Sequence, residues 1–260
     1  LAERNIVLLQ DKVHLLPLQG LDTLRIACIS IGAPAENEFS AMLGKYMKVK
    51  AIAVNQVNVD SVENNLPQYN LAVVAVFGNR LTEKELAFVA AQNKTHGVIV
   101  CSFANPSSWL STVGKSNVLV YAPDAEIASQ QMAAQLIFGG IAAQGKLTTK
   151  LGGFRRGTGL TTQAIRFKYT LPEDAGIDGK KLTTKIDSLV NDAIAQQTFP
   201  GCVVLVAKDR KIVFTKAYGY HTYLKAEGDN YKNDVLNRKT EVDDLFDLAS
   251  VTKVTAGCPA

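Results

Sequence analysis

Ser250 and Lys253, in the run Leu245-Phe-Asp-Leu-Ala-Ser-Val-Thr-Lys253, stand three residues apart. At the start of a helix that spacing puts both side chains on one side, and the helix N-terminus favours a developing alkoxide. A nearby amine accepts the serine proton once burial or neighbouring charge lowers its pKa. The pair therefore fits nucleophilic acyl transfer, with Ser250 attacking and Lys253 acting as or assisting the general base. The spacing alone is common in proteins. The plain alternative is an ordinary serine-initiated helix with a solvated lysine.

The elements ahead of the pair sharpen the reading. Leu182, Ile186, Leu189, Val190, Ala193 and Ile194 recur at helical spacing, and Pro200-Gly201 closes that helix. Two strands are expected over 202–207 and 212–217, joined by the polar hairpin Lys208-Asp-Arg-Lys211. With Tyr218-Gly-Tyr220 and the Phe246-Asp-Leu-Ala-Ser-Val-Thr-Lys253 run, this stretch resembles the N-terminal part of a serine β-lactamase or penicillin-binding-protein domain. The resemblance implies an acyl-enzyme on Ser250, with Lys253 in the general-base role.

That family also uses a Tyr-x-Asn element and a Lys/His-Thr/Ser-Gly strand after the serine, and seven residues follow Lys253. Tyr231-Lys-Asn233 precedes the serine and reads as loop. An oxyanion hole short of one N–H donor loses roughly 3 kcal/mol of transition-state stabilisation. The isolated chain is thus expected to be inactive, a fragment of a larger hydrolase. Exposed apolar surface is expected over 178–260, since two strands and a helix bury little.

Residues 24–31, 49–54, 71–77, 97–102 and 118–122 are short, apolar and rich in β-branched side chains, the pattern of strands covered on both faces. Helices are expected between and after them, over 38–46, 61–65, 83–94 and 125–138. Thr82 with Glu83 and Glu85 supplies a cap and acidic first turn for the third, and Gly139-Gly140 stops the last. The expected fold is α/β: a doubly wound, mostly parallel five-stranded sheet, followed by an incomplete α+β domain. No phosphate-binding glycine motif follows the first strand. Asn79, Arg80 and Asn105 sit where loops beyond the strand ends could reach a partner domain or ligand, although turn formation is the plainer explanation.

Several stretches resemble the C-terminal α/β domain of family 3 glycoside hydrolases, in its β-N-acetylglucosaminidase-like branch. They are Asn5-Ile-Val-Leu-Leu-Gln-Asp11 with His14-Leu-Leu-Pro-Leu18, Val76-Phe-Gly-Asn79, Cys101-Ser-Phe-Ala-Asn-Pro106 and Ala133-Ala-Gln-Leu-Ile-Phe-Gly-Gly140. In that family the nucleophilic aspartate and the acid/base group lie on a barrel that would precede Leu1. The resemblance therefore implies a scaffold, a missing N-terminal barrel and a glycan or peptidoglycan-derived substrate. The expected domains are 1–165 and 178–260, joined by a linker over 166–177.

A net charge of +4 with scattered basic pairs is too weak a footprint for nucleic acid. The apolar runs have strand length, so no transmembrane span is expected. Cys28, Cys101, Cys202 and Cys258 are widely spaced, and His14, His96 and His221 stand apart, so neither a metal nor another cofactor is expected. Likeness to cell-wall enzymes implies a periplasmic or otherwise extracytoplasmic location. Two other readings remain open: a non-catalytic carbohydrate-contacting or structural module, and a flavodoxin-type small-molecule binder.

Overall fold

A computed structural model describes residues 2–95, 97–113, 116–223 and 238–251. The chain divides into two compact units, Leu1–Lys168 and Tyr169–Ala260. The first contains α1 (Ala2–Asn5), β1 (Val7–Asp11), β2 (Ile26–Ile31), α2 (Glu38–Gly44), β3 (Val49–Val54), α3 (Val59–Asn65) and β4 (Leu71–Val76). It continues with α4 (Glu83–Thr95), β5 (Gly97–Ser102), α5 (Leu110–Val113), β6 (Val118–Tyr121) and α6 (Ile127–Phe138).

Six strands form one sheet in the order β1-β6-β5-β4-β2-β3. All neighbours are parallel except β1, which runs antiparallel to β6 with a bulge between Leu8 and Gln10. The expected five strands are therefore joined by a sixth. Its segment, Asn5 to Asp11, reads from sequence only as an entry into the domain. Its pairing with β6 spans more than a hundred residues, which no local pattern announces.

Both faces of the sheet are covered, which explains the uninterrupted apolar runs. Ala27, Ile29 and Ile31 of β2, Ala72, Val74 and Val76 of β4, and Val98 and Val100 of β5 join Val59, Phe88, Val89 and Trp109 in one cluster. The alternate residues, such as Cys28, Val73 and Ile99, are 0% exposed on the opposite face. Each valine or isoleucine among them contributes about 1.5–3 kcal/mol on leaving water.

Caps fix the helices that cover this sheet. The Asn37 side chain accepts from the N–H groups of Phe39 and Ser40 at 3.1 and 3.0 Å, and Ser40 Oγ accepts from Asn37 N–H at 3.0 Å. The expected Thr82 cap is present: Thr82 Oγ1 accepts from Glu85 N–H at 3.3 Å, and Glu85 returns a carboxylate to Thr82 N–H at 2.8 Å. Gly139 ends α6 in the left-handed conformation.

Setting β1 aside, the strand order is that of a flavodoxin-type sheet, whose ligand crevice opens between β2 and β4. Here that end of the sheet is occupied by aromatic side chains. Phe77, just past β4, stacks on Phe103 with ring centres 4.9 Å apart, and Phe39 meets Phe103 edge-on at 5.2 Å.

The second unit is α+β. A three-stranded sheet, ordered β7-β9-β8, is built from β7 (Lys168–Tyr169), β8 (Gly201–Lys208) and β9 (Lys211–Gly219). The helix α7 (Gly179–Ala195) is capped by Asp178, which accepts from Lys181 N–H at 2.9 Å. Asp209 and Arg210 both take positive φ in the two-residue β8–β9 turn, the primed geometry that matches strand twist. Among the described residues, no helix is long and apolar enough to cross a membrane.

Candidate active site

Ser250 follows a framework of polar ties. Asp187 of α7 accepts from Lys216 Nζ at 2.7 Å and from Tyr218 Oη at 2.5 Å, both on β9, fastening the helix to the sheet. These two donors hold the Asp187 carboxyl below its ordinary range. Burial, reinforced by Asp187, pushes the Tyr218 phenol well up, so it stays protonated and keeps donating.

At the end of β9, Gly219 stands opposite Gly201 and takes φ +68°. A side chain on Gly219 would lie 2.2 Å from the Pro200 carbonyl oxygen, and one on Gly201 2.4 Å from Thr240 Oγ1. This bare pair lets a later segment cross. Thr240 N–H donates to the Gly219 carbonyl at 3.1 Å and His221 N–H to the Arg238 carbonyl at 3.0 Å.

Asp244 then secures that returning segment. It accepts from Glu241 N–H at 2.7 Å, from His221 Nε2 at 2.6 Å and from Arg238 Nη2, with its side chain 4% exposed. The Glu241 N–H leads in holding its carboxyl down to about 2, with help from Arg238 and His221 against the opposing effect of burial. From sequence His221 reads as isolated. Its partner lies 23 residues on, beyond the reach of any local pattern.

Six residues past Asp244, Ser250 lies in a single 3-10 turn, Ala249–Val251. Asp247 Oδ1 accepts from Ala249 N–H at 2.8 Å, and Ala249 has φ +44°. Ser250 is exposed. Lys253 lies outside the described residues, as do Tyr231-Lys-Asn233, His96 and Cys258. Around the serine, Leu245 is 99% exposed, and Phe246, Leu248 and Val251 are each at least half exposed. What is described of this site is thus a serine on a turn of exposed apolar residues, six positions past the Asp244 tie.

The loop residues of the first unit serve the loops themselves. Asn79 Oδ1 accepts from Asn105 N–H at 3.0 Å, and Asn105 Oδ1 accepts from Ser107 N–H at 3.0 Å and Ser107 Oγ at 2.6 Å. Arg80 is exposed. Burial pushes the Cys28 thiol up to about 12 and Cys101 well up, so both are inert packing groups. Among the described residues, no cluster of three or more His, Cys, Asp or Glu is placed to hold a metal.

No family model matches the chain. N-acetylmuramyl-L-alanine amidase of Bacillus subtilis (strain 168) is 40% identical over 92 residues, which are 35% of this chain and 20% of that protein. Among solved structures, a fungal multi-domain GH3 β-N-acetylglucosaminidase with a GCN5-related glucosamine N-acetyltransferase region is similar. It matches with a TM-score of 0.51 and 15% identity over 83% of this chain and 28% of its own. A glycoside hydrolase family 3 β-N-acetylglucosaminidase from Paenibacillus sp. str. FPU-7 matches at 0.48 and 17% identity, over 60% of this chain and 32% of its own. The chain therefore spans about a fifth of the curated relative and under a third of the fungal enzyme. The likeness to the fungal enzyme is one of fold.

Proposed function

We propose that this chain is part of a bacterial cell-wall hydrolase in which a scaffold like the family 3 glycoside hydrolase C-terminal domain is joined to a serine β-lactamase-like unit. The observation that carries the reading is the 40% identity with an N-acetylmuramyl-L-alanine amidase. The helix on an antiparallel hairpin, followed by a tethered return to Ser250, supports the same reading.

In the proposed reaction Ser250 Oγ attacks the carbonyl carbon of an amide or ester in a glycan- or peptidoglycan-derived substrate, and its proton passes to Lys253 Nζ. The tetrahedral intermediate collapses with loss of the amine or alcohol, which takes that proton. Water then attacks the acyl-serine, releasing the acid and restoring the hydroxyl. Asp244 is a positioning residue in this scheme, holding the segment that delivers the serine.

The first unit acts in this proposal as a scaffold for a barrel that carries the glycosidase chemistry. Its phenylalanine-filled sheet end favours that role over the small-molecule-binding alternative. Acting on cell-wall material implies an extracytoplasmic location. A fluorophosphonate or β-lactam probe followed by peptide mass mapping tests the serine. In the complete parent protein the expected result is an adduct on Ser250 that disappears in Ser250→Ala and drops sharply in Lys253→Ala. An unmodified Ser250 in that folded parent protein counts against the assignment.

A further inference from the structure

Between the C-terminal end of α7 and the end of β9 lies a cleft of about 630 Å³, within the range of small-ligand sites. None of its lining residues belongs to the Ser250 turn. Tyr220 and Tyr223 supply aromatic surface, Asn191 an amide and Thr222 a hydroxyl, while Tyr218 is only 6% exposed and carries Lys216 Nζ over its ring at 4.9 Å. Two of the three rings are held by their hydroxyls. Tyr218 Oη donates to Asp187 at 2.5 Å, and Tyr223 Oη donates to the Gln197 carbonyl at 2.9 Å.

Gln197 itself takes φ +55° as the left-handed stop of α7, where its N–H donates to the Ile194 carbonyl at 2.9 Å and Thr198 N–H donates to the Ala193 carbonyl at 3.0 Å. That conformation belongs to the residue whose carbonyl receives the Tyr223 hydroxyl at the wall of the cleft. Tyr223 remains 46% exposed, so its ring is anchored at the hydroxyl while part of its surface faces solvent.

Charge narrows the ligand. Two lysines, Lys216 and Lys239, line the cleft, and no acidic side chain among the described residues does. Lys216 is neutralised by Asp187 at 2.7 Å, whereas Lys239 is exposed. Aromatic faces carry negative potential that attracts the polarised C–H groups of a sugar ring, and an ammonium is a point-charge partner for a carboxylate.

We propose that this cleft binds a pyranose ring bearing one carboxylate, the ring on the tyrosine surfaces and the carboxylate on Lys239. The site goes beyond the serine chemistry and does not depend on it. N-acetylmuramate and N-acetylglucosamine, which differ by the lactyl carboxylate, are suitable probes for calorimetric titration of the whole chain.

Saturable binding of N-acetylmuramate is expected, with N-acetylglucosamine about tenfold weaker, the factor a lost charge-assisted hydrogen bond produces. Lys239→Gln should remove that difference while leaving N-acetylglucosamine affinity unchanged. Tyr223→Ala should weaken both sugars with the circular dichroism spectrum retained. Equal affinity for the two sugars, saturation by neither, or an unaltered preference in Lys239→Gln overturns the proposal. Probe labelling of Ser250 in the complete parent protein reports separately on the serine.

Discussion

The two units are held together by different physics. In the first, a strand such as β4 has all six residues buried, packed by helices on both faces. In the second, α7 has no buried residue and β8 none, and the elements are joined by carboxylates and lysines. Asp187 and Asp244 each gather two or three donors, while Lys208 Nζ and Lys211 Nζ donate to the Ala175 and Asp174 carbonyls at 2.9 and 2.7 Å. A sheet covered on both faces derives its stability from apolar area, whereas a hairpin under one helix depends on directed polar contacts. The first unit should tolerate acid and fail when its core is altered, and the second should do the reverse.

The largest expected effect is a charge in the covered sheet. Val74→Asp, at a position 0% exposed, should cost about 4 kcal/mol or more and unfold the first unit, read by calorimetry. If the first unit melts unchanged, the contrast fails. Phe39→Ala, which removes an edge-on partner of Phe103, should cost about 3–5 kcal/mol in chemical denaturation.

Acid sharpens the other side of the contrast. The Asp244 carboxyl lies below its ordinary value of 3.8, at about 2, so its contribution is complete above about pH 5 and disappears as pH falls through about 2. Amide exchange at His221 and Thr240 should accelerate between those limits while the β4 amides stay protected. Asp244→Asn should produce the same acceleration at neutral pH. Least affected should be Leu245→Ser, which replaces a 99% exposed side chain and should shift stability by no more than about 0.5 kcal/mol.

The parallel strands were legible because burial on both faces writes itself as continuous β-branched runs. The Thr82 cap and the Gly139 stop were legible because each acts within four residues. Leu189 shows that a correct period does not fix burial. It fits the helical period of α7, yet it is 58% exposed, because a short hairpin cannot cover a full stripe. At the candidate site, Ser250 and Lys253 were visible as a spacing, whereas His221, Arg238 and Asp244 gave no sign of belonging together.

By itself the sequence determined the elements with local causes: the apolar runs of the sheet, the helix ends and the polar two-residue turn between β8 and β9. Only the tertiary structure decided that β1 closes the sheet antiparallel to β6, that phenylalanines fill the end of the flavodoxin-type crevice, and that Asp244 ties down the segment leading to Ser250. The reason is sequence distance. A cap or turn is satisfied by neighbours a few residues away, but a strand pairing or a three-donor carboxylate draws on partners that become neighbours only after the chain has folded.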